Sequence, residues 1–194
     1  MRFFLFLLLA AFSFLQAGAQ TPEIMLNPVE QPLPADSARH FRKILIVGEG
    51  NFQACSFLDG MGQELVNAFK KLGIECKYEY LGDKAKTNVK AALQKAETWE
   101  HDAVFQLSPL ATEVKNYTSI SGESLAGAVL LGGPISGSSV GYYRNDFDLS
   151  LLENTTTLWF SRLTVESKFG KTAVFKKIRK EILIDLKRQN VLAD

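Results

Sequence analysis

Between residues 43 and 107 the chain switches twice between short apolar runs and helical periodicity, and this constrains its fold most. Ile44-Leu45-Ile46-Val47 is apolar on both faces and ends in Gly48-Glu49-Gly50-Asn51, as suits a central parallel strand. Phe57, Leu58, Met61, Leu65, Phe69 and Leu72 follow at helical spacing, with Gly73 as the stop. Residues 74–81 read as a second strand closed by Gly82-Asp83. Val89, Leu93 and Ala96 mark a more polar helix over 86–99, and 102–107 reads as a third strand halted by Ser108-Pro109. Strand, helix, strand, helix, strand is the signature of a parallel sheet with crossover helices. The first half is therefore expected to be flavodoxin-like.

The second half changes character. Residues 126–131 read as another strand, running into a Gly- and Ser-rich segment, 132–141, that reads as a linker or mobile loop. Tyr143, Asn145, Phe147, Leu149 and Leu151 then alternate with polar neighbours, Glu153-Asn154-Thr155-Thr156 makes a turn, and 158–165 runs back. Two alternating runs across a short polar turn predict an antiparallel hairpin. Val174, Ile178, Ile182, Leu186 and Val191 recur along a basic last helix, whose lysines and arginines read as a solvated face. The fold class is thus α/β: one domain over 41–194, with a mixed sheet, a closing hairpin and a C-terminal helix.

What precedes residue 41 reads as address and tether. Arg2 is followed by an apolar run over 3–15 and then by Ala17-Gly18-Ala19, the order of charge, apolar stretch and small residues in a secretory signal. The run falls short of the about 20 apolar residues a transmembrane helix needs. Residues 1–19 are therefore expected to be removed, leaving no transmembrane span. Residues 20–40 hold Pro22, Pro28, Pro32 and Pro34 without an apolar period and read as a flexible tether. The segment 1–19 carries one of 22 basic and none of 21 acidic residues, so the remainder is formally neutral. Neutrality gives no electrostatic reason to bind nucleic acid. The expected location is outside the cytoplasm, the periplasm if the source is bacterial.

No residue set in the chain makes a complete catalytic or metal-binding motif. Gly48 and Gly50 follow a strand and precede a helix, where backbone amides can approach a phosphate. The dinucleotide fingerprint fails, because Gln53 stands where a third glycine belongs and the acid ending the second strand, Asp83, lies too far along. Even so, the carboxyl ends of parallel strands are where such folds bind ligands. Gly48, Glu49, Gly50, Asn51, Gln53, Asp83 and Ser108 are therefore the candidate ligand-binding set. His40 and His101 are the two histidines; neither is expected near these residues, so no Ser-His-Asp arrangement is expected. Cys55 begins the first helix, where the helix terminus would lower a thiol's pKa, but with no histidine nearby it reads as an ordinary half-buried thiol. Cys55 and Cys76 flank a helix roughly 22 Å long, well beyond the Cα separation of a disulfide, so no bridge is expected. Zinc and calcium ligand spacings are missing. No metal or cofactor is expected, and Asp146 and Asp148 read as residues solvating an outer strand face.

The hairpin carries a resemblance. Asp146-Phe147-Asp148-Leu149-Ser150-Leu151, the turn, and Leu158-Trp159 resemble a recurrent hairpin of small bacterial envelope α/β domains. That group includes the penicillin-binding-protein activator lipoproteins, the N-terminal domain of the Tol β-propeller protein, and curli and exopolysaccharide export lipoproteins. The resemblance implies a non-enzymatic envelope protein that contacts a protein partner, self-associates or scaffolds export machinery. The lipobox cysteine of many such relatives is missing here, which puts fixed membrane attachment in doubt. A small-molecule or nucleotide binder, or an enzyme, using the strand tips near Gly48 is the alternative.

Overall fold

The computed structural model describes residues 23–28, 38–120, 137–168 and 173–193. Its elements run β1 (Glu23–Pro28), β2 (Lys43–Glu49), α1 (Phe52–Lys71), β3 (Glu75–Gly82), α2 (Val89–Ala96), β4 (Ala103–Ile120), β5 (Gly137–Glu153), β6 (Thr156–Lys168) and α3 (Ala173–Arg188). The six strands form one mixed sheet in the order β1-β6-β5-β4-β2-β3. β2 pairs in parallel with both β3 and β4, and the remaining pairings are antiparallel. The doubly apolar 44–47 run accordingly sits between two neighbours with helices on both faces.

The two faces of the sheet differ. Ile44, Ile46, Phe105, Leu107, Phe147, Leu149, Trp159 and Val165 face α1 and α3 in the main core. Leu45, Val47 and Leu81 meet Ala96, Val89 and Leu93 of α2 on the opposite side. Over β5 and β6 that second side is polar. Asp148 pairs with Arg162 at 3.1 Å, and Asp146 accepts from the Thr164 hydroxyl at 2.6 Å. The two aspartates thus hold cross-strand partners on the outer face.

Close approach explains two helical glycines. A Cβ on Gly62 would stand 2.4 Å from the Tyr78 ring, and one on Gly60 would stand 2.7 Å from Phe175. Both let α1 lie close to its neighbours, at the modest propensity cost of glycine in a helix. Gly73, at φ +79°, ends α1: its N–H donates to Lys70 O at 3.1 Å, and that of Ile74 donates to Phe69 O at 3.0 Å. This is the paired carbonyl capping of a Schellman turn.

Several boundaries differ from the sequence reading. Pro109 does not halt the third strand: β4 continues to Ile120 after a register shift between Pro109 and Ala111. A proline is tolerated there because β2 pairs no further than Leu107, and a bulge absorbs the missing donor. Residues 137–141, read as part of a loop, begin β5. Within the expected tether, Glu23–Pro28 forms the edge strand β1, because Ile24 and Leu26 alternate onto the core. The strand read over 126–131, the signal segment and 132–136 lie outside the described residues. The second helix is shorter than expected, Val89–Ala96, with the Asn88 side chain accepting from Ala91 N at 3.1 Å.

The hairpin, turn and C-terminal helix form as the alternation and spacing indicate. Glu153 pairs with Thr156 across Asn154 (φ 47°) and Thr155 (φ 72°), the double left-handed turn that suits the twist of a two-residue hairpin. Val174, Ile178, Ile182 and Leu186 bury one face of α3, and Arg179 on its flank reaches Glu64 of α1 at 2.8 Å. Past α3 the chain returns to the start of the domain, with Arg39 N–H donating to Val191 O at 3.2 Å. Among the described residues no helix is long and apolar enough to cross a membrane.

Candidate functional site

The carboxyl ends of β2, β3 and β4 meet at one crevice. Glu49, Gly50, Asn51 and Asp83 line it together with Ala54, Lys84, Pro109 and Leu110. Ser108 stands at its rim and donates its hydroxyl to Glu49 Oε1 at 3.3 Å. Five of the seven candidate residues, four in the lining and Ser108 at the rim, therefore gather as the strand order requires. Gly48 is one residue back in β2, and Gln53 lies in the first turn of α1.

These groups satisfy one another. The Lys84 ammonium pairs with Glu49, whose side chain is 15% exposed. The Tyr80 hydroxyl donates to Gly50 O at 2.6 Å, and Gly50 N–H donates to Gly82 O at 3.0 Å. Asn51 caps α1, its Oδ1 accepting from Ala54 N at 3.0 Å, so its side chain is spent on the helix terminus where an anion would sit. Asp83 turns its own loop by accepting from Ala85 N at 2.9 Å. The crevice holds about 240 Å³, below the roughly 300–1,000 Å³ of ordinary ligand pockets.

The glycines have a packing explanation as well. A Cβ on Gly50 would stand 2.9 Å from Pro109 Cγ and 3.0 Å from Ala54 Cβ, and one on Gly48 would stand 3.1 Å from the Tyr78 hydroxyl. Gly50 sits where β2, α1 and the β4 bulge converge, whereas Gly48 is pressed less tightly, by Tyr78 of β3 and Leu58 of α1.

Neighbouring titratable groups are poorly set for chemistry. Tyr78 donates to Asp59 Oδ1 at 3.0 Å, and the Cys55 thiol lies 3.6 Å from Asp59 Oδ2. Burial pushes the Cys55 thiol up, and the Asp59 charge adds to it, the reverse of the lowering that a bare helix terminus gives. Cys76 is buried at the far end of the sheet, its thiol pushed up to about 12 by burial. Both cysteines are free. His101 packs by Trp99 before β4, its Nδ1 2.6 Å from Trp99 O, far along the strand from the crevice. No nucleophile and base converge among the described residues that line the crevice. Among the described residues no three His, Cys, Asp or Glu side chains group as metal ligands.

Sequence reasoning missed Lys84, Tyr80 and Leu110. Lys84 follows Asp83 directly at the end of the second strand, a readable signal for a partner to Glu49. Tyr80 points its hydroxyl across to the first strand, which needs the register. Leu110, half exposed, is the residue extruded by the bulge.

No protein-family model and no curated protein sequence matches the chain. Among solved structures, the PelC dodecamer from Paraburkholderia phytofirmans is similar at 12% identity and a TM-score of 0.45, over 90% of this chain and 100% of that one. A minor lipoprotein from Acinetobacter baumannii is similar at 7% identity and a TM-score of 0.38, over 78% of this chain and 96% of that one.

Proposed function

We propose that this chain is an exported, non-enzymatic envelope protein that acts by associating with another protein or with itself. The observation that carries the reading is the self-satisfied crevice. At the position where a parallel α/β sheet offers a ligand its helix terminus and strand tips, Asn51, Glu49, Lys84, Ser108 and Tyr80 are engaged with one another or with the backbone. A ligand would have to break those contacts to enter a small space. The apolar leader and the hairpin resemblance support the compartment.

The test is affinity capture of the tagged chain from envelope extracts, paired with size-exclusion chromatography of the purified chain. A retained protein, or elution above monomer mass, is expected. A monomer that retains nothing overturns the reading. The rival reading gains if a nucleotide, flavin or sugar raises the melting temperature and the shift is lost in Glu49→Gln or Asn51→Ala.

A further inference from the structure

The most exposed large apolar side chain among the described residues stands beside the crevice at the strand tips. Phe52 opens α1 and is 89% exposed, whereas Met25, Leu72, Leu110 and Ile184 are about half exposed. Its chain neighbour Asn51 lines the crevice, so the residue that carries the ring lies about 3.8 Å, Cα to Cα, from one that forms the wall. Leu110, extruded by the bulge in β4, adds an apolar group to the lining. An aromatic ring stabilises by leaving water, and in a single copy this one does not. Phe52 and the crevice thus make an apolar knob next to a hole.

The hole suits an occupant of the same kind. Its polar groups are already paired: Lys84 and Ser108 with Glu49, and Asn51 with the Ala54 backbone. A polar ligand would have to displace those partners, whereas a hydrocarbon side chain asks for no hydrogen bond. A cavity of about 150 Å³ is enough for benzene, so the crevice, at about 240 Å³, has room for a phenyl ring and its methylene. Knob and hole share one patch, so a two-fold axis between them sets each Phe52 at the crevice of the other copy. A two-fold interface needs such a self-complementary patch. A foreign partner with an apolar knob would fill the hole and leave Phe52 in water; a second copy buries both at once.

We propose that two copies of this chain associate about a two-fold axis, each inserting Phe52 into the strand-tip crevice of the other. The proposal rests on the association reading above and names its surface and partner. A contact centred on two rings falls at the small end of specific interfaces, near or below about 1,200 Å², so the dimer is expected to be reversible and concentration-dependent.

Sedimentation velocity on the purified chain, over a concentration series, tests it. The wild type is expected to dimerise. Phe52→Ala removes an exposed side chain that the fold does not use, and is expected to weaken dimerisation by about a hundredfold or more, because two rings leave the interface. Thiol cross-linking with a short bis-maleimide, in a Cys55→Ser background, reads the geometry. An equimolar mixture of Phe52→Cys and Leu110→Cys chains is expected to link one copy of each faster than either variant links to itself, because the mixed dimer keeps one Phe52 in place. Circular dichroism melts report that each variant folds. A wild type that stays monomeric at its highest soluble concentration overturns the proposal. Dimerisation that Phe52→Ala leaves as tight as in the wild type, or a mixture that links no faster than the Phe52→Cys variant alone, overturns this interface and leaves self-association standing. A monomeric wild type that still captures a different protein sinks this interface and leaves the association reading standing; one that captures nothing sinks both.

Discussion

Asp185 locks the last helix to the hairpin, and replacing it with alanine should be among the most damaging single changes in this chain. Asp185 is 4% exposed and Trp159 is 2% exposed. Trp159 Nε1 donates to Asp185 Oδ2 at 2.7 Å, Gln189 Nε2 donates to the same oxygen at 2.8 Å, and an Arg188 guanidinium nitrogen donates to Oδ1 at 2.6 Å. Asp185→Ala strands two buried donors, each costing about 1–3 kcal/mol when unsatisfied. Arg188 is largely exposed, so its lost pair adds little. The expected loss is about 3 kcal/mol, or roughly 6–12 °C in melting temperature at about 2–4 °C per kcal/mol for a domain of this size. Trp159→Phe removes one donor and some volume, for about 2 kcal/mol. In a double-mutant cycle read by urea denaturation, the two changes should couple by about 1–2 kcal/mol, because the second has no hydrogen bond left to remove. Asp185→Asn keeps an acceptor for the indole and should lose less than Asp185→Ala. A loss below about 0.5 kcal/mol for Asp185→Ala, or a coupling near zero, would refute the lock.

Three further changes probe other parts of the fold. Gly50→Ala drives a methyl against Pro109 and Ala54 and should destabilise by about 1–3 kcal/mol through overpacking; a neutral result in thermal melts would mean that the glycine serves something other than packing. Thr155→Gly relieves a β-branched residue at φ 72°, where the left-handed region costs roughly 1–2 kcal/mol. After the added chain entropy of glycine it should still raise the melting temperature, and a lowered one contradicts the turn. Asp102 is held below the ordinary carboxylate range first by the Lys43 backbone N–H and then by that of Arg42. Its stabilisation is present above the ordinary carboxylate value near about 4 and is lost as pH falls through the lowered folded value. Asp102→Asn should therefore flatten the acid limb of a plot of denaturation midpoint against pH, and an unchanged limb would contradict it.

The parallel core was legible because its signals are local. The doubly apolar 44–47 run, the helical spacing from Phe57 to Leu72 and the stop at Gly73 each depend on neighbours a few residues away. The hairpin was legible for the same reason, since Asn154-Thr155 sits between two alternating runs. What escaped depends on partners far along the chain. Glu23–Pro28 becomes a strand only because β6 offers an edge and the core accepts Ile24 and Leu26; within its own sequence the prolines dominate. Pro109 reads as a terminator until the bulge and the end of β2 show that its missing N–H goes unneeded. That the tips of β2, β3 and β4 meet at one crevice was legible from topology, since strand ends gather wherever the strands are parallel. The mutual pairing of its polar groups was not legible, because the Lys84 and Tyr80 contacts depend on side-chain reach between strand ends. The glycines that suggested a phosphate are explained by the Pro109 and Tyr78 packing, which no spacing rule contains.

Association is the central claim, and cross-linking in the native envelope followed by capture of the tagged chain tests it most directly. The account predicts a covalent species heavier than the chain, holding either a second copy or another protein. A chain recovered only as an unlinked monomer, alongside a small molecule whose binding is abolished by Glu49→Gln, would contradict it.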